Sequence, residues 1–183
     1  MDLKILLDVA RKSIFTYFDK SLVLNKDYYL SNYDELSENR ASFVALKLNG
    51  RLRGSFGSFN ASKQLFEDVF DNARKAAFND PSFEPIEIKD FTNIKIEVSV
   101  LTPSKKIDYI DKYDLKEKII PKKHGVILEY QDKKATFLPQ VWDELQTFEQ
   151  FITSLCLKAG VSSSCFENNA KVFIYEVIKE KEE

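Results

Sequence analysis

The sequence predicts an α+β fold with a mainly antiparallel sheet, in a single domain spanning residues 1–183. Apolar residues recur at helical spacing in several stretches, and period-two runs that end in turn signals mark strands between them. Strands and helices mix without a regular βαβ rhythm, which favours antiparallel pairing. With 183 residues and 44% hydrophobic side chains, the chain is long enough to bury the core of one domain.

The first forty residues are predicted to form a helix and a loop. Apolar side chains from Leu3 to Phe18 recur at helical spacing with charged residues between them, which predicts an amphipathic helix of about four turns. Residues 21–40 are polar, and we expect a long surface loop pinned by Tyr28, Tyr29 and Leu30.

A β-hairpin is the clearest local prediction. Asn49-Gly50 separates two β-prone runs, Ser42 to Leu48 and Arg51 to Phe56. Asn-Gly suits a two-residue turn because both central residues must adopt positive φ. The sequence therefore predicts two antiparallel strands joined at this turn.

The register of this hairpin brings polar residues together. With a two-residue turn, Leu46 lies opposite Arg53 and Val44 lies opposite Ser55. The side-chain period of two then places Arg53 and Ser55 on one face, roughly 7 Å apart along the strand. Gly54 lies between them and points to the other face.

The remaining elements follow from the same patterns. An apolar stripe predicts a second helix that Asn79-Asp80-Pro81 ends, and its N-terminus is expected to attract anions near the glycine-rich segment. Thr147 and Gln150 form a capping-box pattern at the start of a later helix. In chain order, the predicted elements are a helix from Leu65 to Ala77, a strand from Ile94 to Val100, a short helix from Asp114 to Ile119, a hairpin of Val126 to Tyr130 and Lys134 to Leu138, a helix from Phe148 to Ala159 with Gly160 at its end, a strand from Lys171 to Ile178 and a charged tail from Lys179 to Glu183.

Composition argues against several classes of function. The net charge of −2 gives no general attraction for nucleic acid, which makes nucleic acid the least favoured partner and leaves only a local basic patch to bind it. No stretch approaches the roughly 20 apolar residues of a membrane span, and no signal peptide is recognisable. The chain is therefore expected to be cytoplasmic and not associated with membranes.

Metal and disulfide chemistry have little support. One His and two Cys fall short of the four ligands of a structural zinc site, so no metal site is predicted. Carboxylates for Mg²⁺ are present, but no spacing indicates such a site. Free thiols fit a reducing compartment. No pattern identifies a cofactor or an oligomeric state.

Several short motifs occur in one order and spacing that resembles the AMMECR domain family. They cover most of the chain from about residue 40 onward. The motifs are Leu52–Gly57, Asp80–Phe83, Ile94–Pro103, His124–Ile127, Ala135–Trp142 and Cys156–Gly160.

The resemblance implies an antiparallel, barrel-like curled sheet with flanking helices, and a biochemical activity that is unsettled. Members of the family in bacteria and archaea often accompany, or are fused to, Memo-type and radical-SAM proteins, which implies a shared AmmeMemoRadiSam pathway. The first motif of the family usually carries Cys where this chain has Ser55, and Ile where it has Phe56. A thiolate mechanism at that position cannot operate here.

Ser55 is a candidate nucleophile. A serine hydroxyl needs a base within hydrogen-bond reach, and His124 is the sole histidine. Ser55 and His124, with Glu97 or an aspartate as the orienting acid, are a candidate catalytic set on residue types alone. Against this, the G-x-S-x-G pattern is absent, and the favoured alternative makes Ser55 a small strand residue.

Arg53, Gly54 and Gly57 are candidate substrate-binding residues. A guanidinium beside two glycines can bind phosphate or carboxylate with help from backbone N–H groups. The alternative is an ion pair between Arg53 and Glu97 or another acid, which would fix the sheet. The two interpretations have equal support from the sequence.

Glu97 and His124 also have simpler interpretations. Glu97 lies on the polar face of an apolar strand, where most such residues are solvated, and burial would be needed to make it a general base. His124 precedes Gly125, and such a residue is more often a hydrogen-bonded turn residue than a catalyst.

Three functions remain open. The preferred one is an enzyme or enzyme component that acts with Memo-like and radical-SAM partners on an unidentified substrate. The second is a non-catalytic domain that binds a peptide or a partner protein. Nucleic-acid binding is third, because the charge balance argues against it.

Overall fold

The computed structural model describes residues 3–183. The contacts of the chain divide into two compact units, the first made of residues up to Val100 together with Ile178–Glu183, the second of Leu101–Val177. Each unit contains one four-stranded antiparallel sheet. The predicted α+β class is confirmed, and a single domain over residues 1–183 stays a prediction.

The helices and strands have the following bounds. The α-helices are α1 (Lys4–Phe18), α2 (Lys26–Asn32), α3 (Leu65–Phe78), α4 (Ile88–Phe91), α5 (Lys112–Lys118) and α6 (Phe148–Ala159), and three 3-10 turns cover Asp34–Ser37, Pro139–Asp143 and Ser163–Asn168. The strands are β1 (Ser42–Leu48), β2 (Arg51–Gly57), β3 (Ile94–Leu101), β4 (Lys105–Ile107), β5 (Gly125–Tyr130), β6 (Lys133–Phe137), β7 (Lys171–Tyr175) and β8 (Val177–Lys181).

The sheet of the first unit has the strand order β2-β1-β3-β8, and α3 packs against β1, β2 and α1. The alternation of β1 and β3 explains this packing: Val44, Leu46, Ile96 and Val98 are fully buried, whereas the residues between them are half-buried or exposed. One face of this sheet therefore forms the core with the helices. We call the opposite face, which carries Ala45 and its neighbours, the outer face.

The predicted register of the first hairpin is wrong beyond Leu52. A β-bulge shifts the pairing, so that Leu46 lies opposite Gly54 and Ala45 lies opposite Ser55. Arg53 is the additional residue on β2. A bulge interrupts the period of two, so the period alone no longer places Arg53 and Ser55 on one face.

The predicted loop over residues 21–40 is wrong, because α2 and a 3-10 turn occupy much of it. The side chain of Asn25 accepts a hydrogen bond from the backbone N–H of Tyr28 and so begins α2. Tyr29 and Leu36 are buried in the core of the first unit. The burial of two side chains orders a segment whose composition is that of a loop.

The predicted last strand and charged tail are also revised. The strand divides at Glu176 into β7, in the sheet of the second unit, and β8, at the edge of the first. The Glu182 carboxylate accepts hydrogen bonds from the Arg11 guanidinium at 2.6 Å and from the backbone N–H of Ile96 at 2.9 Å. The charged end of the chain is therefore part of the sheet.

The sheet of the second unit has the order β4-β7-β5-β6. The predicted capping box of Thr147 and Gln150 is confirmed, and Gly160 ends α6 with φ +71°. Trp142 stacks on Phe151 with ring centroids 3.8 Å apart, at the centre of this core. No closed barrel is formed by the strands of residues 3–183, so the predicted barrel-like curl is not confirmed.

Candidate functional site

The outer face of the first sheet brings two of the predicted site residues into one row. Ala45 is paired with Ser55 on β2 and with Glu97 on β3. Ser55 and Glu97 are therefore two strand spacings apart, roughly 10 Å. The small Ala45 side chain lies between them in this row.

Glu97 is held by lysines of the same face. Its carboxylate lies 3.0 Å from Nζ of Lys47 and 3.9 Å from Nζ of Lys179, and its side chain is 20% exposed. The side chain is therefore an ion-paired carboxylate in a half-buried position. The alternative in which Arg53 pairs with Glu97 is wrong.

Ser55 lies beside a carboxylate that the sequence analysis did not single out. Its backbone N–H donates to Oδ2 of Asp80 at 2.7 Å, and the N–H of Ser82 donates to Oδ1 at 2.9 Å. These bonds, first that of Ser82 and then that of Ser55, hold the pKa of Asp80 below its usual value, and both hydroxyl groups add to the effect. A carboxylate of lowered pKa is a weak general base.

Arg53 binds backbone carbonyls. Its guanidinium donates to the carbonyl oxygen of Glu84 at 2.6 Å and to that of Pro85 at 3.4 Å. β2 is an edge strand, and edge strands need protection from unwanted pairing. Arg53 and Asp80 together fasten the segment after α3 along this edge, which accounts for the arginine without a ligand.

Gly54 and Gly57 each have a packing reason. A Cβ atom on Gly54 would lie 2.1 Å from the carbonyl oxygen of Ala76, so β2 approaches α3 too closely for any side chain. A Cβ atom on Gly57 would lie 2.1 Å from the Phe43 ring, which covers this glycine. The predicted roles of Arg53, Gly54 and Gly57 in substrate binding stay predictions beside these structural ones.

His124 belongs to the second unit, whereas Arg53, Ser55 and Glu97 belong to the first. Its Nδ1 accepts a hydrogen bond from the backbone N–H of Ile120 at 3.1 Å, so the neutral ring carries its proton on Nε2. Its carbonyl oxygen accepts from the Trp142 indole at 3.0 Å. Burial lowers the pKa of His124, and this geometry matches the hydrogen-bonded turn residue of the simpler interpretation.

Sequence reasoning also missed a buried polar cluster. Oδ2 of Asp68 on α3 accepts hydrogen bonds from the backbone and hydroxyl of Ser42, both at 2.7 Å, and from Nδ2 of Asn72 at 2.9 Å. Ser58, just after β2, donates to both carboxylate oxygens at 2.8 Å. Asp68 and Asn72 are one helical turn apart on the buried face of α3. Two polar residues at this spacing on an apolar face are the sequence pattern that could have indicated the cluster.

Residues 3–183 hold neither a metal-binding cluster nor a membrane-spanning helix. No cluster of three or more histidine, cysteine, aspartate or glutamate side chains is arranged to hold a metal ion in that range. None of the helices in that range has the length and apolar character required to cross a membrane.

The comparison with protein families shows to which family the chain belongs. A family model described as AMMECR1 matches residues 7–179. The chain belongs to the AMMECR1 family. The resemblance carried by the six sequence motifs is therefore confirmed.

Relatives and a solved structure extend this result. A protein of Methanopyrus kandleri is 33% identical over 97% of this chain and 87% of its own length. A protein of Aquifex aeolicus is 30% identical over 100% of this chain and 94% of its own length. The crystal structure of an uncharacterized protein from Pyrococcus horikoshii has a TM-score of 0.77 and 29% identity, covering 98% of this chain and 90% of that one. The fold is thus that of an AMMECR1 protein over nearly the full chain.

Proposed function

We propose that this AMMECR1 protein is an enzyme component that acts with Memo-like and radical-SAM proteins, and that its substrate binds on the outer face over Ala45. The observation that supports the proposal is the pairing of Ala45 with both Ser55 and Glu97. Ser55 occupies the position where the family usually carries Cys, so a position of the family motif lies in this row. Other family members often accompany, or are fused to, Memo-type and radical-SAM proteins, and this supports the choice of partners.

The residues of this row bind and orient a polar group. The Glu97 carboxylate, which lies 3.0 Å from Nζ of Lys47, accepts a hydrogen bond from a substrate N–H or O–H group. The Ser55 hydroxyl supplies a second polar contact across Ala45. His124 has no part in the proposal, because its ring is engaged in its own turn.

The test is reconstitution with a Memo-like and a radical-SAM protein from the genome that encodes this chain. Radical-SAM enzymes cleave S-adenosylmethionine, so formation of 5′-deoxyadenosine measures turnover. We expect the wild-type protein to raise that rate and Glu97→Gln to abolish the increase. Ser99→Ala is the matched control, since Ser99 lies two residues further along the same face of β3 and should retain the increase.

A non-catalytic adaptor is the second candidate. The observation that favours it is the engagement of the predicted catalytic groups in the scaffold: Arg53 binds loop carbonyls, and the Ser55 N–H and hydroxyl both contact Asp80. An adaptor forms a stable complex with one partner and leaves the rate of 5′-deoxyadenosine formation unchanged. Absence of both a complex and a rate effect would exclude both candidates.

The proposal includes a cytoplasmic location. Cys156 and Cys165 are both free, with Sγ atoms 3.9 Å apart. Free thiols this close are typical of a reducing compartment. A fluorescent fusion that fractionated with the cell envelope would contradict this part of the proposal.

A further inference from the structure

A cleft of about 570 Å³ lies between the end of α1, the segment before α2 and one side of α3, all within the first unit. It does not include the outer face, and the proposed function makes no use of it. Its size is that of sites for small organic molecules. The charges and rings that line it define the chemistry of an occupant.

Two lysines and two acids of the cleft form ion pairs, so their charges cancel. Lys26 lies 2.7 Å from Glu67, and Lys63 lies 2.5 Å from Asp71. Arg74 is the third cation of the lining, and the described lining residues include no third acid to pair with it. The cleft therefore has an excess of one positive charge.

Arg74 carries that excess in a half-buried position. Its Nη1 donates to Oγ1 of Thr16 at 3.0 Å, and Thr16 in turn donates to the carbonyl oxygen of Ser13 at 2.6 Å. Its Cζ lies 5.7 Å from the centroid of the Phe70 ring. Within residues 3–183 no carboxylate comes within 4.0 Å of this guanidinium. Because a guanidinium has five N–H donors, Arg74 is held in place with donors to spare.

Apolar groups form the rest of the lining. Phe66 and Phe70 stack on α3 with centroids 6.3 Å apart, and the consecutive residues Leu22, Val23 and Leu24 also line the cleft. Val23 is 81% exposed, which is a high value for an apolar side chain. An occupant that covers these groups removes apolar surface from water.

We propose that this cleft binds an amphipathic monoanion, a carboxylate that bears an aromatic or branched apolar group. The carboxylate accepts hydrogen bonds from Arg74, and the apolar group lies against Phe70 and Val23. Glu67 and Asp71 disfavour a second negative charge. The site thus selects one carboxylate over two and rejects the uncharged amide.

Isothermal titration calorimetry with three probes tests the site: 3-phenylpropionate, its neutral amide and the dicarboxylate phenylsuccinate. We expect 3-phenylpropionate to bind the wild-type protein more tightly than either other probe. Arg74→Gln should weaken binding about tenfold to a hundredfold, because a charge-assisted hydrogen bond is lost. Lys75→Gln, which removes the next cation on α3 outside the cleft, should leave the affinity unchanged.

Three results would overturn the assignment: no binding of 3-phenylpropionate, equal binding of the amide, or equal weakening by Lys75→Gln. Should Arg74→Gln fail to fold, NMR of the wild-type protein decides the matter. Shift changes on titration confined to Leu22, Val23, Phe70 and Arg74 support the site, and changes elsewhere or none refute it. Loss of this binding would not affect the proposed function, whose test uses Glu97 and 5′-deoxyadenosine.

Discussion

At the scale of single residues, the contact between Gly54 and Ala76 leaves no room for a side chain. We expect Gly54→Ala to lower the free energy of unfolding by about 1–3 kcal/mol, because an added Cβ atom would overlap a backbone carbonyl that only a shift of β2 or α3 can relieve. Urea denaturation measures the loss. Gly57→Ala is the matched comparison. Its added Cβ atom would overlap the Phe43 side chain, which can rotate, so we expect Gly57→Ala to lose less unfolding free energy than Gly54→Ala. A larger loss of unfolding free energy for Gly57→Ala than for Gly54→Ala would contradict this account.

Ser55→Cys restores the residue that the family usually carries and reports on its surroundings. The Asp80 carboxylate lies beside this position, so we expect a thiol pKa above the usual value of about 8.5. Iodoacetamide labelling across pH measures that pKa, in a background with Cys156→Ala and Cys165→Ala. Adding Asp80→Asn should bring the pKa back towards its usual value. A lowered pKa in Ser55→Cys would mean that Arg53, not Asp80, dominates the site.

The individual site residues were only partly predictable. The sequence identified Ser55 by its place in the glycine-rich motif and Glu97 by its alternation with buried Ile96 and Val98, and the two residues do share a row. It did not identify Asp80 as the partner of Ser55, since the two are 25 positions apart and only the tertiary fold joins them. The roles of Arg53 and His124 depend on backbone carbonyl and N–H groups, which carry no sequence signal.

At the scale of elements, turns and helix caps were predicted correctly from neighbouring residues, whereas features that depend on contacts between distant residues were not. The Asn49-Gly50 turn, the capping box of Thr147 and the left-handed Gly160 all follow from neighbouring residues, and all are present. The bulge at Arg53 lies next to Gly54, where β2 approaches α3 too closely for a side chain. α2 depends on the burial of Tyr29. These contacts are formed by residues distant in sequence, so no local pattern could predict them.

The fastening of the segment after α3 to the edge strand β2 predicts a dependence of stability on pH. The folded state lowers the pKa of Asp80, so its contribution is present above its unfolded pKa of about 3.9 and is lost as pH falls through the lower, folded value. We expect Asp80→Asn to lower the melting temperature at pH 6. The difference from the wild-type protein should shrink below about pH 4. A difference that stayed constant from pH 6 to pH 2.5 would show that the charge of Asp80 contributes nothing.

At the scale of the whole molecule, the second unit is an insertion between two strands of the first. The chain leaves the first unit at the end of β3 and returns at the start of β8, and these strands are neighbours in one sheet. Within the second unit, Thr102 donates from its N–H to the carbonyl oxygen of Glu176 at 2.9 Å, which joins the two ends of the insertion. The prediction of a single strand from Lys171 to Ile178 concealed this return, because Glu176 is the one polar residue between the apolar runs that form β7 and β8.

The prediction of a single domain over residues 1–183 implies that both units unfold in one transition. Trp142 is the sole tryptophan and lies in the second unit, so its fluorescence reports that unit, whereas far-UV circular dichroism reports both. We expect the two urea transitions of the wild-type protein to coincide. Gly54→Ala, a change in the first unit, should shift the fluorescence transition by as much as the dichroism transition. If the fluorescence transition of Gly54→Ala stayed at the wild-type midpoint, the units would unfold independently and the chain would comprise two domains.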